Sequence, residues 1–214
     1  GAENPKDGSS LAAPRREARS SRRRIRRKRQ RLSDIRQLIL SSKLLSEAEL
    51  TKLFDIPNEH TPWQLRAEGL DRKLSHSEWA RVLIHIAKHR GFKSNRTIST
   101  EGKDAKASEE GKAKEGMRSN SLLLSSGNNG KGYRTVGEMV EKDPKFEFHK
   151  RNKAGDYSNT IIRTDLESEI KTLFSLQREF GNKFSSADLE EEYIKLFNRQ
   201  LPFASGEIIE KMTG

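Results

Sequence analysis

The chain has 214 residues, with 42 lysines and arginines against 31 aspartates and glutamates, so its formal net charge is +11 at pH 7. It contains no cysteine, which excludes disulfide scaffolds, cysteine-ligated zinc sites and thiol nucleophiles. Its apolar runs are a few residues long, far short of the ~18 needed to span a bilayer, and residues 1–5 hold no signal-peptide core. We therefore expect a soluble cytoplasmic protein, and the missing initiator methionine favours a piece of a longer chain.

The positive charge is concentrated in residues 15–31. This segment has eleven basic residues and one acid, Glu17, which gives it a net charge of +10 and leaves about +1 for the rest of the chain. Arginine and lysine favour helices, and Pro14 suits a first helical turn. The segment is therefore predicted to be a helix with one apolar stripe (Ala18, Ser21, Ile25, Leu32). Beyond it, Leu32, Ile35, Leu38 and Ile39 have the spacing of a helix that docks on a core.

A polyanion is the natural ligand of such a helix. Six like-charge pairs four residues apart together cost roughly 1–3 kcal/mol, and phosphates would remove that repulsion. Arginine, which predominates over lysine here, also suits bidentate phosphate contacts. The arginines predicted to bind RNA are Arg15, Arg16, Arg19, Arg22, Arg23, Arg24, Arg26, Arg27, Arg29 and Arg31. A nuclear-localisation signal or a disordered basic tail is the alternative interpretation.

After this helix, the sequence predicts a series of short helices. Five segments match the capping box, beginning at Ser46, Thr61, Ser75, Thr135 and Thr164. Apolar residues at helical spacing follow them, most clearly from Trp79 to Ala87, and Gly91 and Gly181 suit helix ends. No sustained alternating pattern predicts a strand, so the predicted fold class is all-α.

The predicted organisation has four parts. An N-terminal arm and arginine-rich helix occupy residues 1–40, and two helical subdomains occupy residues 41–96 and 133–214. Residues 97–132 between them are rich in serine, glycine, lysine, glutamate and asparagine, which predicts a flexible insertion or linker.

Two further segments combine cations with an aromatic residue, a mixture that suits phosphate, ribose and stacking contacts. Lys88, Arg90, Phe92, Lys93 and Arg96 follow a predicted helix end, and Arg151, Lys153 and Tyr157 lie in a second segment. We predict that both bind RNA. In the alternative interpretation, the aromatic residues belong to the core and the cations are ordinary surface residues.

No catalytic constellation is evident in the sequence. His85 and His89 have the spacing of a zinc-binding pair, but Ile86 stands where the zincin glutamate would be and no third ligand follows. Residues 127–132 superficially suggest a phosphate loop, yet Gly132 replaces the required serine or threonine. We predict structural or RNA-contacting histidines, and no catalytic or metal-binding residues in this chain.

Several segments resemble the type II CRISPR RNA-guided DNA endonucleases, in particular the compact II-C branch. Residues 2–6 and 14–24 are similar to the start of that family's arginine-rich bridge helix. Residues 62–74, 84–92, 177–182 and 202–205 are similar, in the same order, to its recognition lobe. Only about residues 97–132 find no counterpart, so an ordered and specific resemblance covers nearly the whole chain.

The resemblance implies a binding part of a larger nuclease with a role in antiviral defence in the bacterial cytoplasm. The chain would bind guide RNA and the RNA–target-DNA heteroduplex through backbone and shape, and Arg66 and Arg163 would join the RNA-binding set. The nuclease segments, and the Mg²⁺ that they would hold, would lie outside this chain, so the chain would have no cofactor and would not cleave DNA. An acidic anti-CRISPR inhibitor is a further expected partner at the arginine-rich helix. A free-standing basic RNA-binding scaffold of an unrelated family is the alternative.

Overall fold

The computed structural model describes residues 12–55, 59–93, 109–127 and 130–199, which are predominantly helical. The α-helices in these ranges are α1 (Ala13–Ser41), α2 (Glu47–Lys52), α3 (Pro62–Glu68), α4 (His76–Lys88), α5 (Glu109–Ser126), α6 (Val136–Lys142), α7 (Arg163–Glu179) and α8 (Ala187–Asn198), with a 3-10 helix at Pro144–Phe146. The described ranges contain no β-strand, only an isolated parallel bridge between Phe92 and Ile162. The predicted all-α class is confirmed.

Helix α1 is anchored at its C-terminal end and exposed for most of its length. Ile35, Leu38 and Ile39 are buried, and the helix packs against α4 and α8. The predicted docking of this end is confirmed. The apolar stripe predicted further upstream does not pack, because Ile25 remains 51% exposed and Ala18 also lies at the surface. The basic part of α1 therefore projects along the surface of the protein.

Helix starts follow the capping motifs at most of the predicted places. Ser46, Thr61 and Ser75 form complete capping boxes, and Thr135 accepts a hydrogen bond from the Glu138 amide. The prediction at Thr164 is wrong, because α7 already begins at Arg163 and its N-cap, Ile162, makes no side-chain bond. The helix entry is instead aligned by tertiary contact, since the Arg163 amide donates to the Phe92 carbonyl at 2.9 Å.

One apolar core joins the helices, and its buried residues run from Ile35 in α1 to Phe197 in α8. Trp79 and Phe174 meet edge to face with their ring centroids 5.0 Å apart, an arrangement that aromatic pairs favour. The buried Tyr193 hydroxyl donates to the Leu83 carbonyl at 2.7 Å, so α4 and α8 are also joined by a hydrogen bond. This core supports the C-terminal end of α1 and the end of α4, where the candidate site lies.

Part of the segment predicted to be a flexible linker is the ordered helix α5. Asn120 on this helix is buried, and its amide donates to the Ser158 and Thr160 carbonyls at 2.9 Å each. Gly116 packs so closely that a Cβ atom would lie 2.1 Å from the Tyr157 carbonyl oxygen. The expectation of flexibility is corrected for residues 109–126, because tertiary packing orders a segment that has few apolar side chains of its own. Residues 94–108 lie outside the described ranges.

Candidate nucleic-acid interface

A cavity of about 610 Å³ lies where α1 passes the end of α4 and the loop before α7. Its lining contains nine cationic residues and no carboxylate; the cations are Arg24, Arg27, Lys28, Arg31, Lys88, Arg90, Lys150, Arg151 and Arg163. Cations of α1 thus meet those of the two downstream segments singled out in the sequence. A concentration of one sign of charge in a concave surface produces a strong local potential for anions.

A short backbone connection brings Arg90 and Arg163 to the same wall, although they are far apart in the sequence. The Phe92 amide donates to the Ile161 carbonyl and the Arg163 amide donates to the Phe92 carbonyl, each at 2.9 Å. Gly91 makes this approach possible, with a φ of 71° and no room for a Cβ atom, which would lie 2.8 Å from the Ile161 oxygen. The loop after α4 therefore positions Arg163 as well as Arg90.

On the opposite wall of the cavity, Arg31 holds α1 against α4. Its Nε donates to the Ala87 carbonyl at 2.8 Å, which joins α1 to the last turn of α4. Burial, followed by repulsion from Arg90 and Arg163, lowers the pKa of Arg31 to about 10. The charged form of this side chain is therefore held in an unfavourable environment that an anion would relieve.

The buried positive charge of Arg163 has fewer hydrogen-bond partners than that of Arg31. Its side chain is buried, and its Nε and Nη1 atoms make no hydrogen bond. Burial, followed by repulsion from Arg90, lowers the pKa of Arg163 to about 10. Arg90 is better satisfied, since its Nη1 donates to the Phe197 and Arg199 carbonyls at 3.1 Å, but burial followed by repulsion from Arg27 lowers its pKa as well.

The face of α1 turned away from this cavity forms a second, smaller site of about 490 Å³. It is lined by residues of α1 alone: Arg22, Ile25, Arg26, Arg29, Gln30 and Ser33. Arg22, Arg23 and Arg26 form no ion pair with a carboxylate in the part of the chain that the structure describes. The basic helix therefore presents cations to two sides.

Most of the other predicted contacts lie outside the cavity. Arg15, Arg16, Arg19 and Arg23 are exposed along α1, Lys93 and Lys153 are exposed in loops, and Tyr157 is half-buried beside α5. Phe92 lines the cavity and is 40% exposed, so it does not belong to the core. Arg96 lies outside the described residues. RNA contacts by these residues stay predictions.

The prediction that Arg66 binds RNA is corrected by its environment. Arg66 is fully buried, and its Nε and Nη2 donate to the two carboxylate oxygens of Glu169 at 2.7 and 2.6 Å. The guanidinium also lies over the Trp63 ring, 4.2 Å from its centroid. Since burial and bidentate pairing remove this side chain from any external phosphate, Arg66 is a structural residue.

His85 and His89 form a neighbouring ring pair, with centroids 4.9 Å apart. Burial, followed by repulsion from Arg66, lowers the pKa of His85 to about 2. Burial, followed by repulsion from Arg151, lowers the pKa of His89 to about 3. Surrounding cations disfavour a bound divalent metal, and the described residues contain no cluster of three potential metal ligands. The role of these histidines, structural or RNA-contacting, stays a prediction.

These histidines should make the chain less stable in mild acid. Both pKa values are lower in the folded than in the unfolded state, so the unfolded chain binds more protons below about pH 6.5. We expect His85 alone to reduce the free energy of unfolding by about 1–2 kcal/mol between pH 6.5 and 5. Urea unfolding across this range checks the result. A His85→Gln variant should have a flatter pH profile, and an unchanged profile would contradict this role of His85.

The sequence analysis missed part of the cavity wall. Trp63, Val136, Leu166, Asn159 and Thr160 line the cavity together with the cations. Trp63, Val136 and Leu166 lie in segments that the predicted capping boxes marked as helices, but no pattern in the sequence assigned these residues, Asn159 or Thr160 to a binding site. Their contribution depends on the helix packing and on the loop before α7.

Comparison with known proteins supports the resemblance noted in the sequence. No protein-family model matches the chain. CRISPR-associated endonuclease Cas9 of Campylobacter jejuni is 34% identical over 209 residues, which cover 91% of this chain and 20% of the relative. The chain is homologous to a segment of Cas9. It spans about a fifth of the length of this curated Cas9, and the predicted resemblance to type II CRISPR endonucleases is confirmed.

Solved Cas9 structures have the same fold over this segment. The crystal structure of Campylobacter jejuni Cas9 in complex with sgRNA and target DNA matches with a TM-score of 0.75 and 28% identity, over 94% of this chain and 26% of that one. An assembly of St1Cas9 with sgRNA, target DNA and AcrIIA6 matches with a TM-score of 0.67 and 21% identity, over 93% of this chain and 22% of that one. The second match shows the fold alone. Among the helices that the structure describes in this chain, none has both the length and the apolar character needed to span a membrane.

Proposed function

We propose that this chain binds guide RNA and the guide–target heteroduplex as part of a CRISPR RNA-guided endonuclease in antiviral defence. The observation that carries the proposal is the cavity beside α1, with nine cations and no carboxylate in its lining. Homology to Cas9, and the sgRNA and target DNA named in the solved Campylobacter jejuni complex, add support. The unrelated basic scaffold is disfavoured by this homology.

Recognition would depend on the sugar–phosphate backbone and on duplex shape. Arginine forks and lysines predominate on the exposed length of α1 and around the cavity, and such side chains position phosphates without reading sequence. An A-form duplex presents its phosphates and 2′-hydroxyl groups more readily than its base edges. The guide, through base pairing, would then supply the sequence specificity.

We further propose that this chain has no nuclease active site of its own and needs no resident cofactor. The endonuclease activity in the name of the Campylobacter jejuni relative belongs to a protein about five times as long as this chain. The histidine pair is surrounded by cations, and Arg66 and Glu169 neutralise each other in the core. Cleavage chemistry and Mg²⁺ would belong to other parts of such an endonuclease.

Replacement of Arg22, Arg23, Arg26 and Arg27 by alanine should weaken RNA binding and flatten its salt dependence. Each neutralised phosphate contributes about −0.7 to −0.9 to the slope of log K against log salt, so the loss of four contacts should flatten it by up to about 3.6. Filter-binding titrations at several salt concentrations measure this slope, and a guide-scaffold RNA should bind more tightly than an unrelated hairpin of equal length.

The matched control replaces Lys52, Lys171, Lys183 and Lys195 by alanine. These exposed lysines lie outside the cavity and outside the second site on α1, and their replacement changes the net charge by the same amount as the arginine replacements. The control should retain most of the affinity and slope. Equal losses in both variants would show that net charge, rather than the α1 surface, determines binding.

An acidic anti-CRISPR inhibitor at α1 is proposed as a second partner of the same helix. The observation that favours it is the outer α1 site, where Ile25 is exposed among Arg22, Arg26 and Arg29. An apolar residue surrounded by arginines suits a protein surface that combines carboxylates with a small apolar patch. Such a partner would compete with RNA for these arginines.

A further inference from the structure

The cavity beside α1 has an apolar and aromatic part in addition to its cations. Trp63, Val136 and Leu166 line it, together with Phe92 and Ile161. Its volume of about 610 Å³ is within the ~300–1,000 Å³ typical of sites that enclose a small organic molecule, and it exceeds what one phosphate group fills. Cations and an apolar surface in one cavity suit a ligand that joins an anion to a flat apolar group.

Two polar side chains of this cavity have buried atoms without partners. Arg163 is 8% exposed, and its Nε and Nη1 make no hydrogen bond. Nε2 of His89 is likewise buried and unpaired. Unpaired buried polar atoms are unfavourable and are rare in folded proteins. A ligand that combines hydrogen-bonding atoms with a flat ring would satisfy these atoms and cover the apolar wall.

Trp63 is held as a rigid part of the wall. The Arg66 guanidinium lies 4.2 Å from the centroid of the indole, and the His85 ring meets the indole edge to face at 4.8 Å. Arg66 itself is fixed by its bidentate contact with Glu169. An indole that is immobilised in advance loses little conformational entropy on stacking, which favours contact with an aromatic base.

We propose that this cavity holds one unstacked nucleotide of the bound RNA, with its base against the Trp63–Leu166 wall and its phosphate among Arg31, Arg90 and Arg163. The inference rests on the proposed RNA-binding function and assigns to the cavity a contact with a base in addition to backbone contacts. The base also contacts the buried, unpaired Nε2 of His89, and the sugar and phosphate remain with the cations. RNA bound in this way has one nucleotide withdrawn from its helical stack.

The two tryptophans of the chain allow a direct test. In the ¹⁵N-labelled full chain, each indole N–H gives one resonance, and Trp79 is the internal reference because it is fully buried and donates to the Phe184 carbonyl at 2.8 Å. We expect adenosine or uridine 5′-monophosphate to shift the Trp63 resonance saturably and to leave that of Trp79 unchanged. Ribose 5-phosphate and inorganic phosphate should bind at least about tenfold more weakly, because they lack the stacking base.

Equal affinity for nucleotide and ribose 5-phosphate, or an unmoved Trp63 resonance at saturation, would overturn the nucleotide site. If salt-dependent RNA binding persisted in that case, the proposed function would stand and only the base contact would be lost. If the chain bound no RNA at all, the proposed function itself would fail.

A substitution at His89 distinguishes the contribution of the base to binding from that of the phosphate. His89→Ala should weaken nucleotide binding about tenfold and leave binding of ribose 5-phosphate unchanged, whereas His76→Ala, on an exposed histidine outside the cavity, should change neither. Parallel weakening of both ligands by His89→Ala in a folded chain would contradict base recognition. If His89→Ala does not fold, the comparison of ligands on the unaltered chain decides the question.

Discussion

Arg66→Met is expected to reduce the free energy of unfolding by about 3–5 kcal/mol, because it leaves the carboxylate of Glu169 buried without its counter-charge. Both residues are fully buried, and Glu169 would retain only the Gly137 amide, which donates at 3.0 Å. In a chain of this size, the loss corresponds to a fall in Tm of roughly 6–20 °C. Urea denaturation and calorimetry measure the effect.

Arg72→Met is the matched control, since Arg72 is also ion-paired, in this case with two carboxylates, but lies at the partly exposed surface. It should cost about 1 kcal/mol or less. A second substitution should rescue part of the loss at the buried site, because Glu169→Gln removes the isolated charge and keeps an acceptor for Gly137. If Arg66→Met were no more harmful than Arg72→Met, the buried pair would not be the structural contact inferred here.

Arg163→Met should have the opposite effect on stability and should also impair binding. It removes a buried guanidinium whose Nε and Nη1 have no partner, so the free energy of unfolding should rise by about 1–2 kcal/mol. RNA affinity should fall about tenfold, as expected for the loss of one charged hydrogen-bonding group. Denaturation of the free chain and RNA titration of the same preparation test both parts.

Arg36→Met provides the control for charge. Arg36 is exposed on α1 and lies outside both sites, so its loss removes one positive charge without altering the cavity. It should change stability and affinity only slightly. If Arg163→Met destabilised the chain, its guanidinium would have a structural role, and the assignment of Arg163 to the binding site would be wrong.

The cations that line the cavity destabilise the free protein and favour anion binding. Arg31, Arg90 and Arg163 are held close together with lowered pKa values, which weakens the free protein and favours any state that supplies an anion. RNA bound there would therefore stabilise the fold in proportion to its affinity and concentration. Binding sites often retain such unfavourable arrangements because the ligand relieves them.

Local patterns in the sequence were sufficient to predict most of the helices and the exposed basic surface of α1. The Ser46, Thr61 and Ser75 capping boxes form as predicted, because the contacts that start a helix lie within four residues of each other. The exposure of the α1 arginines was equally predictable, since cations around most of a helix cannot all enter an apolar core. Helix α5 was missed because its order depends on contacts such as those of Asn120 with distant carbonyls.

By itself, the sequence determined the all-α class, the location of the positive charge and the kinship with CRISPR endonucleases, since each is carried by composition, short-range spacing or ordered motifs. Only the tertiary structure decided what individual arginines do. Arg66 and Arg163 both lie in helices and are both buried, yet Arg66 faces Glu169 while Arg163 faces a cavity without carboxylates. The role of a charged side chain depends on what the fold places opposite it, and that partner can be a hundred residues away.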